Sequence, residues 1–193
     1  MSMDSARRIA LFGGTFDPIH EGHLEIAQRA KDALALDEVR FLPCHTSPHK
    51  LGVLSAPPED RLEMVRLAIA DLPWAVADDH DLTCPQPAYS FLTAEEMARR
   101  YPGSRLFWLM GADQWRALPR WKEPERLAKA VEFIVFARDG RPEAHLGWRM
   151  HFVPGTHPAS ATALRGMIAG GKAPLWLPPA VADYIARKGL YKP

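Results

Sequence analysis

Cysteine is scarce in this chain. Cys44 and Cys84 are the only two among 193 residues, and they share no C-x-x-C spacing. That excludes a thioredoxin-type redox motif and a cysteine-rich zinc site. The pair reads as inert, buried thiols in a protein of the reducing cytoplasm. Long apolar runs are missing too: nothing approaches the ~20 residues of a membrane-spanning helix. The start, MSMDSARR, lacks a signal-peptide pattern, because the next apolar stretch leads into a glycine turn. Charge of one sign is not in excess. The 24 Lys and Arg against 23 Asp and Glu leave +1, which speaks against a strongly basic nucleic-acid surface. Two phosphate-binding signatures are also absent. No G-x-G-x-x-G dinucleotide fingerprint occurs. Residues 166–172, GMIAGGK, spell most of a Walker loop, but Ala173-Pro174 follow where Ser or Thr is required, and Gly170-Gly171 read as a helix stop.

What is present is alternation. Apolar strand patterns at 8–12, 38–43, 75–78, 105–110, 132–137 and 150–153 are interleaved with helical patterns. The latter span 22–36, 59–71, 91–101, 125–130, 161–169 and 179–188. This rhythm predicts an α/β fold, a doubly wound, Rossmann-like parallel sheet with helices on both faces. The length predicts a single domain over 1–193. The 18 prolines are scattered, so they mark loop boundaries rather than disorder. The segment from His45 to Pro58 is a long Pro- and Ser-containing loop of the kind that is often functional.

The most informative stretch is GGTFDPIHEGH at 13–23. It sits between the first strand pattern and the first helix pattern. Gly13 and Gly14 are read as freeing the backbone for a sharp turn and a close ligand approach. The helix that follows directs its unpaired N–H groups and positive dipole end at the same place, which suits phosphate. His20 and His23, three apart, fall on neighbouring positions of the helix start, so both can reach one phosphate chain. A second anion site is offered by 160–165, where Ser160 can cap a helix and Arg165 can fork onto phosphate oxygens. Asp113 emerges beyond an apolar strand, where ligands of parallel sheets bind, or caps the next helix. Asp78, Asp79, His80 and Asp81 are contiguous, so strand alternation keeps them from converging on one ion, and they read as an exposed strand end.

GGTFDPIHEGH resembles the first signature of the nucleotidylyltransferase superfamily. The fuller pattern is similar to bacterial nicotinate-nucleotide adenylyltransferases: Pro48-His49-Lys50, Gly111-Ala112-Asp113, Pro119-Arg120-Trp121-Lys122, Ser160-Ala161-Thr162-Ala163-Leu164-Arg165 and a Gly189-Leu190-Tyr191 ending. The resemblance implies transfer of the adenylyl group of ATP to nicotinate mononucleotide, releasing pyrophosphate. It places His20 and His23 as the catalytic, phosphate-holding histidines, with Gly13, Gly14, Thr15, Phe16, Ser160, Thr162 and Arg165 around ATP. It gives Lys50, Thr93, Asp113, Trp121 and Lys122 to the mononucleotide. Trp121 stacks on the pyridine, with Trp115 as the competing candidate, and backbone amides at Thr93 and Lys122 hold the pyridine carboxylate. In the family's second motif Ile and a second Ser stand where this chain has Ala159 and Ala161. No metal-ligating residues are expected, and Mg²⁺ is expected to arrive on ATP. Alternatives are another superfamily transferase, such as phosphopantetheine adenylyltransferase, and a non-catalytic nucleotide-binding module. The expected partners are the two nucleotides, with neither nucleic acid nor membrane.

Overall fold

A computed structural model describes residues 6–45, 55–138 and 140–192. Six parallel strands form one sheet: β1 (Arg8–Gly14), β2 (Glu38–Pro43), β3 (Ala75–Ala77), β4 (Arg105–Gly111), β5 (Glu132–Ala137) and β6 (Met150–Pro154). Their spatial order is β3-β2-β1-β4-β5-β6. The helices are α1 (Glu21–Leu34), α2 (Pro58–Ala68), α3 (His80–Thr83), α4 (Ser90–Arg100), α5 (Ala112–Ala117), α6 (Pro124–Ala130), α7 (Ala161–Ala169) and α8 (Pro179–Lys188). A 3₁₀ turn, Leu118–Arg120, joins α5 to α6. All six predicted strands and six predicted helices form, with ends shifted by at most three residues. The two short helices α3 and α5 had no apolar period long enough to announce them.

Of the inner strands, β1, β4 and β5 carry unbroken apolar runs because both sheet faces are covered, while Arg40 interrupts β2. Alternate residues of each strand divide between two cores. Ala10, Phe12, Phe107, Leu109, Ile134 and Phe136 face one way, beneath α1, α2 and α8. Ile9, Leu11, Trp108, Met110, Phe133 and Val135 face the other, beneath α4, α5 and α6. Proline opens α2, α6 and α8, where its missing N–H and fixed φ do no harm. Tyr184 on α8 donates to Asp60 Oδ1 on α2 at 2.6 Å and fastens the last helix to the sheet layer.

From β1 the chain turns by way of α1 to β2 on one side. The next strand to pair with β1, β4, lies on its other side. Connections leaving β1 and β4 therefore diverge, and a crevice opens beyond their carboxyl ends.

Candidate active site

Beyond the carboxyl ends of β1, β4 and β5 lies a cleft of about 1070 Å³, ample for a nucleotide. His20 and His23 stand on one side, Asp113 at the start of α5, and Ser160 at the start of α7. Four predicted site residues from three distant segments thus share one wall.

The glycine turn works differently from its sequence reading. Gly13 and Gly14 end β1 in strand conformation. The left-handed residue of the turn is Phe16, at φ 47°. The missing Cβ of Gly14 makes room for the Phe16 ring, which would lie 3.0 Å from it. Phe16 is buried against Phe12 (5.5 Å), Phe41 (5.7 Å) and His23 (5.1 Å). Its side chain is a core wedge, so only its backbone is available to ATP.

His20 occupies the N-cap of α1 in extended conformation. Its amide donates to His23 Nδ1 at 3.2 Å, which assigns the neutral ring's proton on His23 to Nε2. The two rings stack with centroids 3.8 Å apart. His20 Nδ1 is buried without a hydrogen-bond partner among the described residues, so a proton there would be orphaned and Nε2–H is the favoured tautomer. Burial first, and the His157 imidazole second, push the His20 pKa down from 6.5 to about 4. Both rings line the cleft, with His20 neutral at physiological pH. Gly22 leaves little room for a side chain: a Cβ would lie 3.0 Å from His157 Nδ1 and 3.1 Å from His20 Cε1. Part of the dipole end of α1 is already used, because Glu21 N donates to Trp176 O at 2.9 Å.

Ser160 holds the N-cap of α7 but makes no side-chain capping bond, so its hydroxyl is not spent on the helix. Asp113 does not cap α5; Gly111 does. Asp113 lies in the helix's first turn, exposed, paired with Arg116 one turn on. The sequence offers Arg165 as a fork for phosphate oxygens. It is instead docked on the first motif: Nη1 donates to Asp17 O at 2.7 Å and Nη2 lies 3.4 Å from Thr162 Oγ1.

Of the residues assigned to the mononucleotide, Asp113 lines the cleft, whereas Thr93, Trp121 and Lys122 lie apart from it. Thr93 is buried. Its amide donates to Tyr89 O at 3.2 Å and its hydroxyl to Asp81 Oδ1 at 2.7 Å, so both donors are engaged. Ahead of it, Ser90 and Phe91 supply the first two amides of α4, which precede its internal ladder. Trp121 is half-buried after the 3₁₀ turn, and Lys122 beside it is exposed. Their loop leads into α6, which is fastened to α4 by the Arg126–Glu95 fork (2.9 and 2.7 Å). Trp115, the competing stacking candidate, is a core residue. It is 1% exposed, and its indole N–H donates to Glu143 O at 2.8 Å. Lys50 lies outside the described residues.

Asp78 and Asp81 are not an exposed strand end. Both are buried; Asp78 pairs with Arg40 at 2.7 Å, and burial raises the Asp81 pKa to about 6. Ligand atoms of His80, Asp81 and Cys84 lie within 4.8 Å of one another, but Arg100 contacts His80 Nδ1 at 3.1 Å and Thr93 holds Asp81. Cys44 and Cys84 are free and half-buried rather than buried, and desolvation raises both thiol pKa values. No helix among the described residues is long and apolar enough to cross a membrane.

Several groups had no reading in the sequence. Arg138 and Arg141 line the cleft after β5, and their signal was position, just past a strand's carboxyl end. His157 lies after β6, its Nδ1 accepting from Ala159 N at 3.0 Å. Arg61, 1% exposed, donates to Ala56 O (3.1 Å), Thr15 O (2.7 Å) and His45 O (2.9 Å). It precedes Met64 and Val65 by three and four, on the buried stripe of α2.

A switch-point cleft with a histidine pair at the first helix suits a nucleotide and its phosphates. The cytidylyltransferase-like family matches residues 11–167. The chain is 41% identical over 187 residues to a probable nicotinate-nucleotide adenylyltransferase of Thermus thermophilus, covering 96% of this chain and 100% of the relative. It is 36% identical over 201 residues to one from Neisseria meningitidis, covering 96% and 99%. The fold is shared with the Plasmodium falciparum nicotinic acid mononucleotide adenylyltransferase complexed with NaAD: TM-score 0.78, 17% identity, 96% and 97% coverage. The chain belongs to the cytidylyltransferase-like family and, within it, to the nicotinate-nucleotide adenylyltransferases.

Proposed function

We propose that this enzyme transfers the adenylyl group of ATP to nicotinate mononucleotide, giving deamido-NAD and pyrophosphate, with His20 and His23 as the donors to the phosphates. The observation that carries the assignment of these residues is the stacked imidazole pair, both rings keeping Nδ1 inward at the cleft. The reaction is an in-line attack by the mononucleotide phosphate on the α-phosphorus, and the P–O bond to pyrophosphate breaks. The nucleophile ionises with a second pKa of about 6, so it needs no general base. The protein's task is to orient the two phosphates and to meet the charge that grows on the bridging and leaving oxygens. Two Nε2–H donors at the helix start do that, and a neutral His20 costs no charge burial while the cleft is empty. Trp121 supplies the face for the pyridine ring. Mg²⁺ enters on the triphosphate, and Asp113 and Glu143 are the cleft carboxylates that could add an oxygen ligand. We place the reaction in the cytoplasm, in keeping with two free thiols.

The experiment is pyrophosphate release from ATP with a panel of acceptors. Release with nicotinate mononucleotide is the expected result. Release only with phosphopantetheine would move the chain to another branch of the superfamily, and none with any acceptor would make it a binding module.

A further inference from the structure

The buried carboxylate of Asp17 has no part in the chemistry above, yet three distant segments converge on it. Asp17 is 1% exposed. Its Oδ1 accepts from the Tyr191 hydroxyl at 2.6 Å and from Ala56 N at 3.0 Å. Its Oδ2 is buried without a hydrogen-bond partner among the described residues, and Arg165 Nη1 lies 3.9 Å away. The same Nη1 donates to the Asp17 carbonyl. A buried carboxylate oxygen with no donor is expensive unless a cation is near, so Asp17 and Arg165 hold each other in place. Tyr191 holds the carboxylate through its other oxygen. Burial and the Asp17 charge raise its phenol pKa, which keeps it a neutral donor. Arg61 anchors the backbone around this point through the carbonyls of Thr15 and Ala56.

Arg165 sits on α7 with the second phosphate motif, and Asp17 lies in the first, three residues before His20. The geometry points to Asp17 and Tyr191 as a positioning pair that sets the Arg165 guanidinium against the first phosphate motif, making the C-terminal Tyr191 a working part of the ATP site. One guanidinium nitrogen is tied to Asp17, and the other, which donates to Thr162 Oγ1 at 3.4 Å, keeps a second N–H for a phosphate oxygen. This rests on the reading of Arg165 as an ATP ligand.

The test is a double-mutant cycle on steady-state kinetics with Tyr191→Phe, Arg165→Ala and the pair. Loss of a hydrogen bond to a charged acceptor should raise the ATP KM of Tyr191→Phe on the order of tenfold. The mononucleotide KM should stay within about twofold, because its site lies elsewhere. The double variant should be no worse than Arg165→Ala, because Tyr191 acts only through that arginine. Asp17→Asn in the same cycle gives an independent second answer. Additive losses, or equal rises in both KM values, would overturn the positioning role while leaving Arg165 in the site. A wild-type ATP KM in Arg165→Ala would remove Arg165 from the site, and the positioning role with it.

Discussion

Acid should destabilise this protein through one histidine. His20 is nearly sealed from solvent, its Nδ1 has no hydrogen-bond partner among the described residues, and its pKa falls from 6.5 to about 4. Between those two values the unfolded chain binds a proton that the folded protein refuses. The stability contributed by the neutral ring is therefore complete above pH 6.5 and is lost as the pH falls through the window to about 4. Each unit of difference is worth about 1.4 kcal/mol, so lowering the pH from 7 to 5 should remove about 2 kcal/mol. Asp81 pulls the other way. Its pKa is raised to about 6 by burial, so protonation relieves it as the pH falls. The wild-type curve alone mixes the two. The clean comparison is wild type against His20→Asn, which keeps an N-cap residue but cannot titrate. Denaturant unfolding at pH 7 and pH 5 should show wild type losing about 2 kcal/mol more than the variant. Parallel losses, or an NMR midpoint for the His20 ring at 6 or above, would refute the argument from burial.

The other expectations follow from the same geometry. His23→Ala should lower kcat roughly 10²–10³-fold with little change in unfolding midpoint, as for loss of a transition-state donor; unchanged turnover would make the ring structural. Trp121→Ala should raise the mononucleotide KM and leave the ATP KM alone, whereas Trp115→Ala should cost roughly 3–5 kcal/mol of stability as a core deletion; reversed results would swap the two tryptophans. Asp81→Asn, which keeps an acceptor for Thr93, should gain up to about 3 kcal/mol at pH 8, where the wild-type carboxylate is charged and buried; a loss there would contradict the cost assigned to burying this carboxylate. The acid mononucleotide should exceed the amide in kcat/KM by about 10²-fold, because a site made of N–H donors leaves an amide's own N–H groups unpaired; equal values would end that claim.

The architecture was legible because parallel strands buried on both faces must be apolar throughout, and β1, β4 and β5 are. The histidine motif was legible because it is local: one strand end, one turn and one helix start carry all of it. The errors have a common physical origin. The resemblance puts Phe16 beside ATP, but the left-handed position of the turn falls to it, and Gly14 makes room for its buried ring. Thr93 was given a ligand's role, but a threonine four residues into a helix finds its partners inside, and Asp81 was there to accept. Asp78 and Asp81 looked solvated because nothing in the sequence places Arg40 or Thr93 beside them.

The groups that escaped notice are polar side chains that bond to backbone atoms far away in the chain. Arg61 reaches the carbonyls of Thr15, His45 and Ala56, and Asp17 collects the Tyr191 hydroxyl and the Ala56 amide. A carbonyl partner is the same at every residue, so such a bond leaves no mark on the partner's identity. Only burial gives it away, and Arg61 betrays itself by riding the apolar stripe of α2 with Met64 and Val65. These hidden groups surround the end of β1 and the turn that carries His20. Adenylyl transfer asks for donors fixed before the substrate arrives, since reorganising them during the reaction would raise the barrier. A turn of irregular backbone cannot hold that geometry through a helix or sheet ladder, and buried cations and carboxylates bonded to its carbonyls and amides hold it instead. The same residues that are hardest to read are therefore the ones whose removal should disturb ATP handling before it disturbs the fold of the sheet.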